Sequence, residues 1–136
     1  MFDMENINRQ HQDILKLTQD ISAFCTADKV EEKAFSIAML ISQLSGRINV
    51  HLLAEDQHVY PSLMSHKDSR IQQISNRFAA EMGGLAQKFN DFKSRYAASA
   101  QIKADTATFL YEAKFVLEAI QERIAREERE LYTLMK

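Results

Sequence analysis

The sequence predicts an all-α protein, folded as an up-down-up-down antiparallel four-helix bundle in a single domain of residues 1–136. Four long segments repeat their apolar residues with the 3.6-residue period of an α-helix. Only three glycines and one proline occur, far fewer than the turns of a β-sandwich or barrel require. The connectors TADK, SHKDS and AASAQIK are short, and short connectors between long helices place neighbours antiparallel.

The first two helices are predicted from about Asp3 to Cys25 and from near Asp28 onward. The tetrapeptide Asp28-Lys29-Val30-Glu31 resembles a capping box, with the aspartate as N-cap. Pro61 lacks a backbone donor, so the second helix is expected to kink or end there. The inward stripe of the first helix is Ile7, His11, Ile14, Thr18, Ile21 and Cys25, and that of the second is Ile37, Leu40, Leu44, Ile48, His51, Glu55 and His58.

The third helix is predicted to begin after a second box-like start at Ser69, and the fourth to run from about Asp105 to Leu134. Both show the same apolar period. The inward stripe of the third helix is Ile74, Phe78, Met82, Leu85, Phe89 and Phe92. The stripe of the fourth helix is Phe109, Ala113, Val116, Ile120, Arg123, Glu127, Leu131 and Leu134.

Composition excludes several classes of function. The chain has 17 basic and 19 acidic side chains and no basic block, which argues against a nucleic-acid partner. The N-terminus MFDMENINRQHQ is too polar for a signal peptide, and the run AFSIAMLISQL is too short to cross a membrane. The single cysteine, Cys25, excludes an internal disulfide and suits a reducing compartment. These features indicate a cytoplasmic protein with no membrane association.

Six ionisable residues fall on the stripes that should face the core: His11, His51, Glu55, His58, Arg123 and Glu127. A buried carboxylate is costly unless a cation or several hydrogen-bond donors satisfy it. Two carboxylates and two imidazoles that converge in a helical bundle form a metal-ligand set by residue type. The sequence therefore predicts a polar, cation-binding centre inside the bundle.

A motif then gives the chain a family resemblance. H-x-x-x-E-D-x-x-x-Y-P-x-L runs from His51 to Leu63, one histidine lies about ten residues into the first helix, and the fourth ends I-A-R-E-E-R-E-L-Y-T-L. Over essentially its whole length the chain resembles the hemerythrin-like (HHE) family. The resemblance implies a four-helix bundle around a non-haem di-iron centre, with shared carboxylates and histidines from all four helices. Members bind O₂, or sense or handle oxygen, nitric oxide or iron.

The resemblance carries over to only half of that centre. His11 and His51 match histidines on one iron, while Glu55 and Glu127 match the bridging carboxylates. The histidines expected on the other iron fall on Met82 and Arg123. A thioether is a poor ligand for iron, and a guanidinium stays protonated and has no lone pair to give. The ordinary di-iron chemistry is therefore not expected.

Three arrangements of the centre remain open. In the first, His11, His51, Glu55 and Glu127 bind one iron, zinc or manganese ion. In the second, no metal binds, and Arg123 with the histidines forms a buried polar network. The third is a rearranged di-metal site that recruits other donors, namely Glu81, Glu122 or His58.

The function that we predict is cation binding at a degenerate centre, with a role in sensing or in binding a small ligand such as O₂ or NO. Reversible O₂ carriage is not expected, because the iron that binds O₂ in that chemistry would lack its histidines. No nucleophile signature, glycine-rich phosphate loop or CxxC zinc motif occurs, so no catalytic activity is predicted. The alternative is a metal-free helical interaction or regulatory protein that retains only the fold.

Overall fold

A computed structural model of the protein describes residues 4–135, and over that range the chain is helical with no β-strand. The backbone divides into α-helical segments joined by two π turns and a terminal 3₁₀ turn. The α-helices are α1 (Met4–Phe24), α2 (Ala34–Ala54), α3 (Tyr60–Met64), α4 (Ser69–Arg95), α5 (Ser99–Ala104) and α6 (Thr106–Arg126). The π turns are Glu55–Val59 and Glu127–Leu131, and the 3₁₀ turn is Tyr132–Met135.

The two π turns interrupt otherwise continuous helical rods. The first joins α2 to α3, so that one rod runs Ala34–Met64. The second follows α6 directly and leads into the 3₁₀ turn. Each turn is closed by an i→i+5 hydrogen bond, from the amide of Tyr60 to the carbonyl of Glu55 and from the amide of Tyr132 to the carbonyl of Glu127. Single π turns inside helices occur frequently at functional sites.

The long helices pack around one core, with α1 against α2 and α6, and α4 against α2, α3 and α6. The predicted inward stripes of α1, α2 and α6 are largely buried, as the apolar period requires. The main core cluster has aromatic residues from α4 and α6 at one end, where the Phe92 and Phe109 rings stack at 5.8 Å. Its largest fully buried members are Ile14, Ile21, Ile37, Ile41, Leu44, Phe92, Ile102 and Phe109.

A second, smaller core cluster lies at the opposite end, beyond the π turns. Burial of apolar surface is the main stabilising term in such clusters. This end cluster consists of Ile7, Val59, Tyr60, Leu63, Phe78, Leu131 and Tyr132. The polar residues of the inward stripes lie between the two clusters, so both apolar regions hold the polar centre in place.

Several predicted boundaries were wrong, and one of them is the possible end of the second helix at Pro61. The rod continues through Pro61 to Met64 because Pro61 follows the π turn and stands in the first turn of α3, where a proline is tolerated. The helix expected at Asp28 begins only at Ala34, since residues 27–33 form turns. The expected loop AASAQIK contains the short helix α5. The predicted start at Asp3 lies outside the described residues.

Two helix starts follow the expected capping chemistry. The Asp68 carboxylate accepts a hydrogen bond from the amide of Arg70 at the start of α4. The Asp105 carboxylate accepts one from the amide of Thr108 at the start of α6. Aspartate is a preferred N-cap because its oxygen satisfies an amide that has no partner inside the helix.

The rod Ala34–Met64 is the most apolar part of the described chain. By length and composition alone it is long enough to cross a membrane, and one third of its most apolar window is buried. The core helix of a soluble protein meets the same criterion. The expectation that every apolar run is too short for a membrane therefore holds for the segment AFSIAMLISQL but not for the complete rod.

Candidate metal centre

The predicted polar centre exists and is buried. His11 comes from α1 and His51 from the end of α2, while Glu55 and Glu127 are the first residues of the two π turns. Their exposed fractions are 0%, 4%, 0% and 1%. Arg123, one helical turn before Glu127, is 6% exposed. The structure thus brings together five polar residues that the sequence placed on inward stripes.

The two imidazoles and one carboxylate oxygen meet at a point. Nε2 of His11 lies 3.2 Å from Oε1 of Glu127, and Nε2 of His51 lies 3.0 Å from the same oxygen. The two Nε2 atoms are 3.3 Å apart. These three residues offer donor atoms that all lie within 4.8 Å of one another. The set combines imidazole nitrogen and carboxylate oxygen, which are ordinary ligands of divalent transition metals.

The other nitrogen of each imidazole is held by an acceptor. Nδ1 of His11 donates to Oε1 of Glu128 at 2.9 Å, and Nδ1 of His51 donates to Oε1 of Gln10 at 3.0 Å. In the neutral rings these bonds place the proton on Nδ1 and leave the lone pair on Nε2. Outer partners of this kind fix the tautomer and orientation of metal-binding histidines. Both rings therefore turn a basic nitrogen toward the centre.

Glu55 completes the centre from the side of the first π turn. Its Oε1 lies 3.5 Å from Nε2 of His51 and has no hydrogen-bond partner, although it is buried. Its Oε2 accepts a hydrogen bond from the Tyr132 hydroxyl at 3.0 Å. Burial, reinforced by the nearby charge of Glu127, raises the pKa of the Glu55 carboxyl to about 10. A buried oxygen without a partner is a position at which a cation would be stabilised.

Glu127 is ionised, in contrast to Glu55. Burial disfavours its charge, but hydrogen bonds with His11 and His51 hold its pKa well below the usual value. Burial likewise lowers the pKa of His11, yet its bonds with Glu127 and Glu128 outweigh that effect and raise the pKa above the usual value. The same carboxylates that would bind a metal thus attract a proton to His11 when no cation is bound.

Arg123 occupies the other side of Glu127. Its Nε donates to Oε2 of Glu127 at 3.0 Å, and its Nη2 donates to the Tyr60 hydroxyl and to the Phe78 carbonyl, each at 2.9 Å. The guanidinium also lies 4.6 Å from the Phe78 ring centroid. Charge-assisted bonds and a cation–π contact of this kind hold a guanidinium rigidly. A fixed positive charge therefore stands where the resemblance implies a second iron.

Tyr132 is a member of the centre that was not among the residues predicted from the sequence. Its hydroxyl is buried and donates to Glu55 at 3.0 Å and to Glu127 at 3.1 Å, and it lies 3.3 Å from Nε2 of His11. Burial, then the charges of both glutamates, raise its pKa above the usual value. The phenol is therefore a hydrogen-bond donor to the two carboxylates.

The π turns explain why Tyr132 reaches the centre. Five residues along an α-helix lead to roughly the opposite side of the helix, whereas an i→i+5 turn returns the chain to the same face. Glu55 with Tyr60 and Glu127 with Tyr132 share this spacing. The repeated E-x₄-Y pattern is the signal that could have revealed both tyrosines.

The remaining candidates lie outside the cluster of donor atoms. His58 and Glu122 are exposed. Glu81 is also exposed, and its Oε2 accepts a hydrogen bond from Arg126 at 2.8 Å. These positions give no support to the rearranged di-metal site among the residues described. Met82 is half-buried and lines a small cavity instead.

That cavity borders the centre and has a volume of about 20 Å³. His51, Arg123 and Glu127 are among its lining residues, although the surface it exposes is apolar. A space of this size holds about one water-sized molecule. Its other walls are apolar and consist of Ile14, Ile48, Met82, Leu85, Ala86, Phe89, Ile120 and Ile124.

The donor set fits one divalent cation and opposes a second. The donor atoms of His11, His51 and Glu127 lie within 4.8 Å of one another. The unpaired oxygen of Glu55 is not one of that group, but it lies 3.5 Å from Nε2 of His51. On the far side of Glu127, a second ion would lie a few ångströms from the Arg123 guanidinium, where repulsion amounts to several kcal/mol at an effective dielectric constant of about 20. The geometry therefore favours a centre with one ion over the di-metal arrangement.

Comparison with known proteins agrees with this site. The model of the hemerythrin HHE cation binding domain matches residues 3–135. Neither a search of curated proteins nor a search of solved structures found a significant match. The matched range includes every residue of the centre and nearly the whole chain. The chain belongs to the hemerythrin HHE cation-binding domain family.

Proposed function

We propose that the protein binds one divalent cation, with iron as the physiological ion, at His11, His51, Glu55 and Glu127. The observation that carries this proposal is the 3.3 Å separation of the two Nε2 atoms, both directed at Oε1 of Glu127. Two lone pairs at that distance repel unless a cation or a proton lies between them, and the grouping of both nitrogens with a carboxylate oxygen within 4.8 Å suits a metal ion. Fixed Nδ1 protons on both rings leave Nε2 to face that species.

Bound iron would supply reversible electron transfer and an open position for a small ligand. The protein residues orient and enclose the site. Gln10 and Glu128 hold the two imidazoles in place, and Tyr132 holds the two carboxylates. The adjacent cavity of about 20 Å³ suits a molecule as small as O₂ or NO.

The proposed role is sensing or ligand binding, and O₂ carriage is not part of it. Carriage by an iron pair needs a second iron, whose place beside Glu127 is taken by the Arg123 guanidinium. Met82, which lines the adjacent cavity, supplies only a thioether, a poor ligand for iron. A centre with one ion and a fixed positive charge therefore supports binding of a single small ligand next to the ion.

A second candidate is a metal-free protein that keeps only the fold. The observation in its favour is charge balance, because Arg123 pairs with ionised Glu127 at 3.0 Å while the raised pKa keeps Glu55 neutral. A buried ion pair with good geometry and further hydrogen bonds is stable without a metal. In that case the function would reside on the surface of the helices.

Metal stoichiometry distinguishes the two candidates. Protein purified without an affinity tag is titrated anaerobically with Fe(II), and bound iron is counted after gel filtration. We expect one ion per chain in the wild type and a lower occupancy in His51→Ala. The double variant Arg123→His with Met82→His is expected to bind more iron than the wild type, because it supplies two further imidazoles.

The result that would overturn the metal proposal is substoichiometric iron in the wild type even after reconstitution. Unchanged stoichiometry in the double variant would show that Met82 and Arg123 are not the replaced ligand positions. His58→Ala is the matched control, since His58 lies in the same rod but is exposed. Its occupancy should equal that of the wild type.

The finer architecture belongs to the same proposal. We infer that residues 1–136 form one domain, in which α1, the rod Ala34–Met64, α4 and the rod that starts with α6 make an up-down-up-down four-helix bundle. The cyclic order of their packing supports this, and α5 is an extra turn in the third connector. We further propose a cytoplasmic location, because a chain with a single cysteine suits a reducing compartment.

A further inference from the structure

The outward face of α2 carries an uncharged apolar stripe that no other part of residues 4–135 covers. Its large members are Phe35, Met39, Val50 and Leu53, which are 68%, 50%, 53% and 57% exposed. Between them stand Ser42 and Gly46, also exposed. At 100° per residue, all six positions fall within an arc of roughly 80°. Contiguous exposed apolar surface of this kind marks interaction sites.

The order of residues along the stripe is symmetric. Positions 35 and 53, 39 and 50, and 42 and 46 each lie at equal distances, within one residue, from position 44. In an antiparallel pair of α2 helices related by a two-fold axis near position 44, Phe35 meets Leu53 and Met39 meets Val50. A two-fold interface requires the same patch on both chains to complement itself, and this stripe satisfies that requirement.

Gly46 supports close approach of another helix at the centre of the stripe. A Cβ atom added at Gly46 would meet nothing within 4 Å, and no glycine among the described residues has a positive φ. Neither packing nor backbone conformation within this chain therefore requires a glycine there, although glycine weakens a helix relative to alanine. Small residues at the crossing point allow two helices to approach closely.

The area and the charges fit a second copy of the chain. The four large side chains expose roughly 400 Å² per chain, about half of the ~800 Å² per partner of a stable interface. Grooves on both sides of the stripe extend the surface, one against residues 97–99 and one against α1. The groove against α1 has two charges of each sign among its lining residues, namely Asp13, Lys16, Asp20 and Arg47. Two copies of the chain therefore bring no net charge repulsion to this surface.

We propose that the protein forms a two-fold symmetric dimer through an antiparallel pair of α2 helices centred near position 44. The same helix provides His51 on its inner side, so dimerisation would buttress the rod that bears half of the metal centre. A lipid bilayer would also accept an apolar face, but it has no requirement for a stripe that is symmetric about one position.

The first test measures the oligomeric state of the full chain by sedimentation equilibrium. We expect a dimer at micromolar concentrations. Met39→Glu should weaken the dimer by at least about tenfold because it buries a charge in the core of the interface. Gly46→Leu should also weaken it, since it obstructs the crossing point without disturbing the monomer. Phe115→Glu is the matched control: Phe115 is 58% exposed on α6 and lies outside the stripe, so its dimer should be unchanged.

The second test fixes the orientation, using cysteine variants in a Cys25→Ala background. Oxidation of an equal mixture of Met39→Cys and Val50→Cys should give a disulfide-linked heterodimer. Each variant alone should crosslink poorly, because identical positions lie about 15 Å or more apart along an antiparallel pair. Circular dichroism verifies that every variant keeps its helix content.

Several outcomes would overturn the proposal. A wild type that stays monomeric at the highest concentration would do so, as would a dimer that survives Met39→Glu but is lost in Phe115→Glu. Efficient crosslinking of Met39→Cys with itself would exclude the antiparallel arrangement. Cosedimentation of a monomer with phosphatidylcholine–phosphatidylglycerol vesicles, abolished by Met39→Glu, would assign the stripe to a membrane surface instead.

Discussion

The two sides of Glu127 differ in what neutralises its charge. Oε1 faces the His11 and His51 Nε2 atoms, which turn lone pairs toward one point. Oε2 faces Arg123, whose guanidinium is already fixed by Tyr60 and Phe78. One side is therefore arranged to receive a cation, while the other contains a permanent one. This difference is the reason for proposing one cation at the centre rather than two.

Removal of Arg123 tests the permanent cation and should have the largest effect on stability. Arg123→Ala leaves the ionised carboxylate of Glu127 and the Tyr60 hydroxyl without their buried partner. We expect the free energy of unfolding to fall by about 3–5 kcal/mol. Urea denaturation of protein freed of metal with a chelator measures this change. Arg126→Ala is the control, since its pairs with Glu81 and Glu130 are at the surface and contribute at most about 1 kcal/mol.

Removal of an imidazole tests the side that receives the cation. His51→Ala deletes one of two nitrogens that face the centre, and we expect at least about a 100-fold loss of Fe(II) affinity. Stability without metal should change less than in Arg123→Ala, because the Glu127–Arg123 pair stays in place. Isothermal titration calorimetry under anaerobic conditions measures the affinity. Equal affinity in His51→Ala and wild type would place the ion elsewhere.

Neutralising Glu55 should change stability and metal binding in opposite directions. Its pKa rises from 4.5 to about 10 on folding, so the stability it contributes is complete below about pH 4.5 and is lost as pH rises toward 10. A glutamine at this position cannot ionise in the folded or the unfolded state, so the stability of Glu55→Gln does not fall in this way as pH rises. Without metal, we expect the variant to be more stable than the wild type at pH 7, on the order of 2 kcal/mol, and similar near pH 4.5.

The metal-bound protein gives the complementary result for Glu55. A cation that uses Glu55 as a ligand must displace its proton, so Glu55 should add about one proton to those released on binding at pH 7, and binding should tighten as pH rises. Calorimetry in buffers of different ionisation enthalpy measures that proton, which Glu55→Gln should not release. Equal proton release by both proteins would mean that Glu55 stays outside the coordination sphere.

The smallest expected effect concerns the outer partner of His51. Gln10→Ala removes the acceptor that holds Nδ1 of His51 at 3.0 Å, so the ring loses its fixed tautomer. We expect Fe(II) affinity to fall about tenfold with little change in the free energy of unfolding. Gln12→Ala, an exposed change on the same helix, should leave the affinity as it is. A larger loss in Gln12→Ala would refute this role for Gln10.

Helical periodicity was enough to predict much of this structure. It placed His11, His51, Glu55, Arg123 and Glu127 on inward stripes, and all five are buried together. It succeeded because the α-helical period holds without interruption up to each glutamate. The hydrogen bond between Arg123 and Glu127 also follows from their spacing of four residues, which places both on one helix face.

The parts that sequence reasoning missed lie beyond the points where the period changes. The position of Tyr132, the continuation of the rod through Pro61 and the exposure of His58 all depend on a π turn. A pattern analysis that assumes 3.6 residues per turn places residues after such a turn on the wrong face. The start of α2 was missed for a different reason, since residues 27–33 form turns in spite of the box-like Asp28.

The π turns also couple the metal centre to the end of the molecule. Each turn adds a residue to the helical repeat, and that addition brings Tyr60 and Tyr132 to the face of the preceding glutamate and into the end cluster. Deleting one residue from either turn would restore a regular helix and rotate the following tyrosine away from that face. The turns that position Glu55 and Glu127 therefore also set the rotation of both helix ends, so the geometry of the centre and the packing of the end cluster are fixed together.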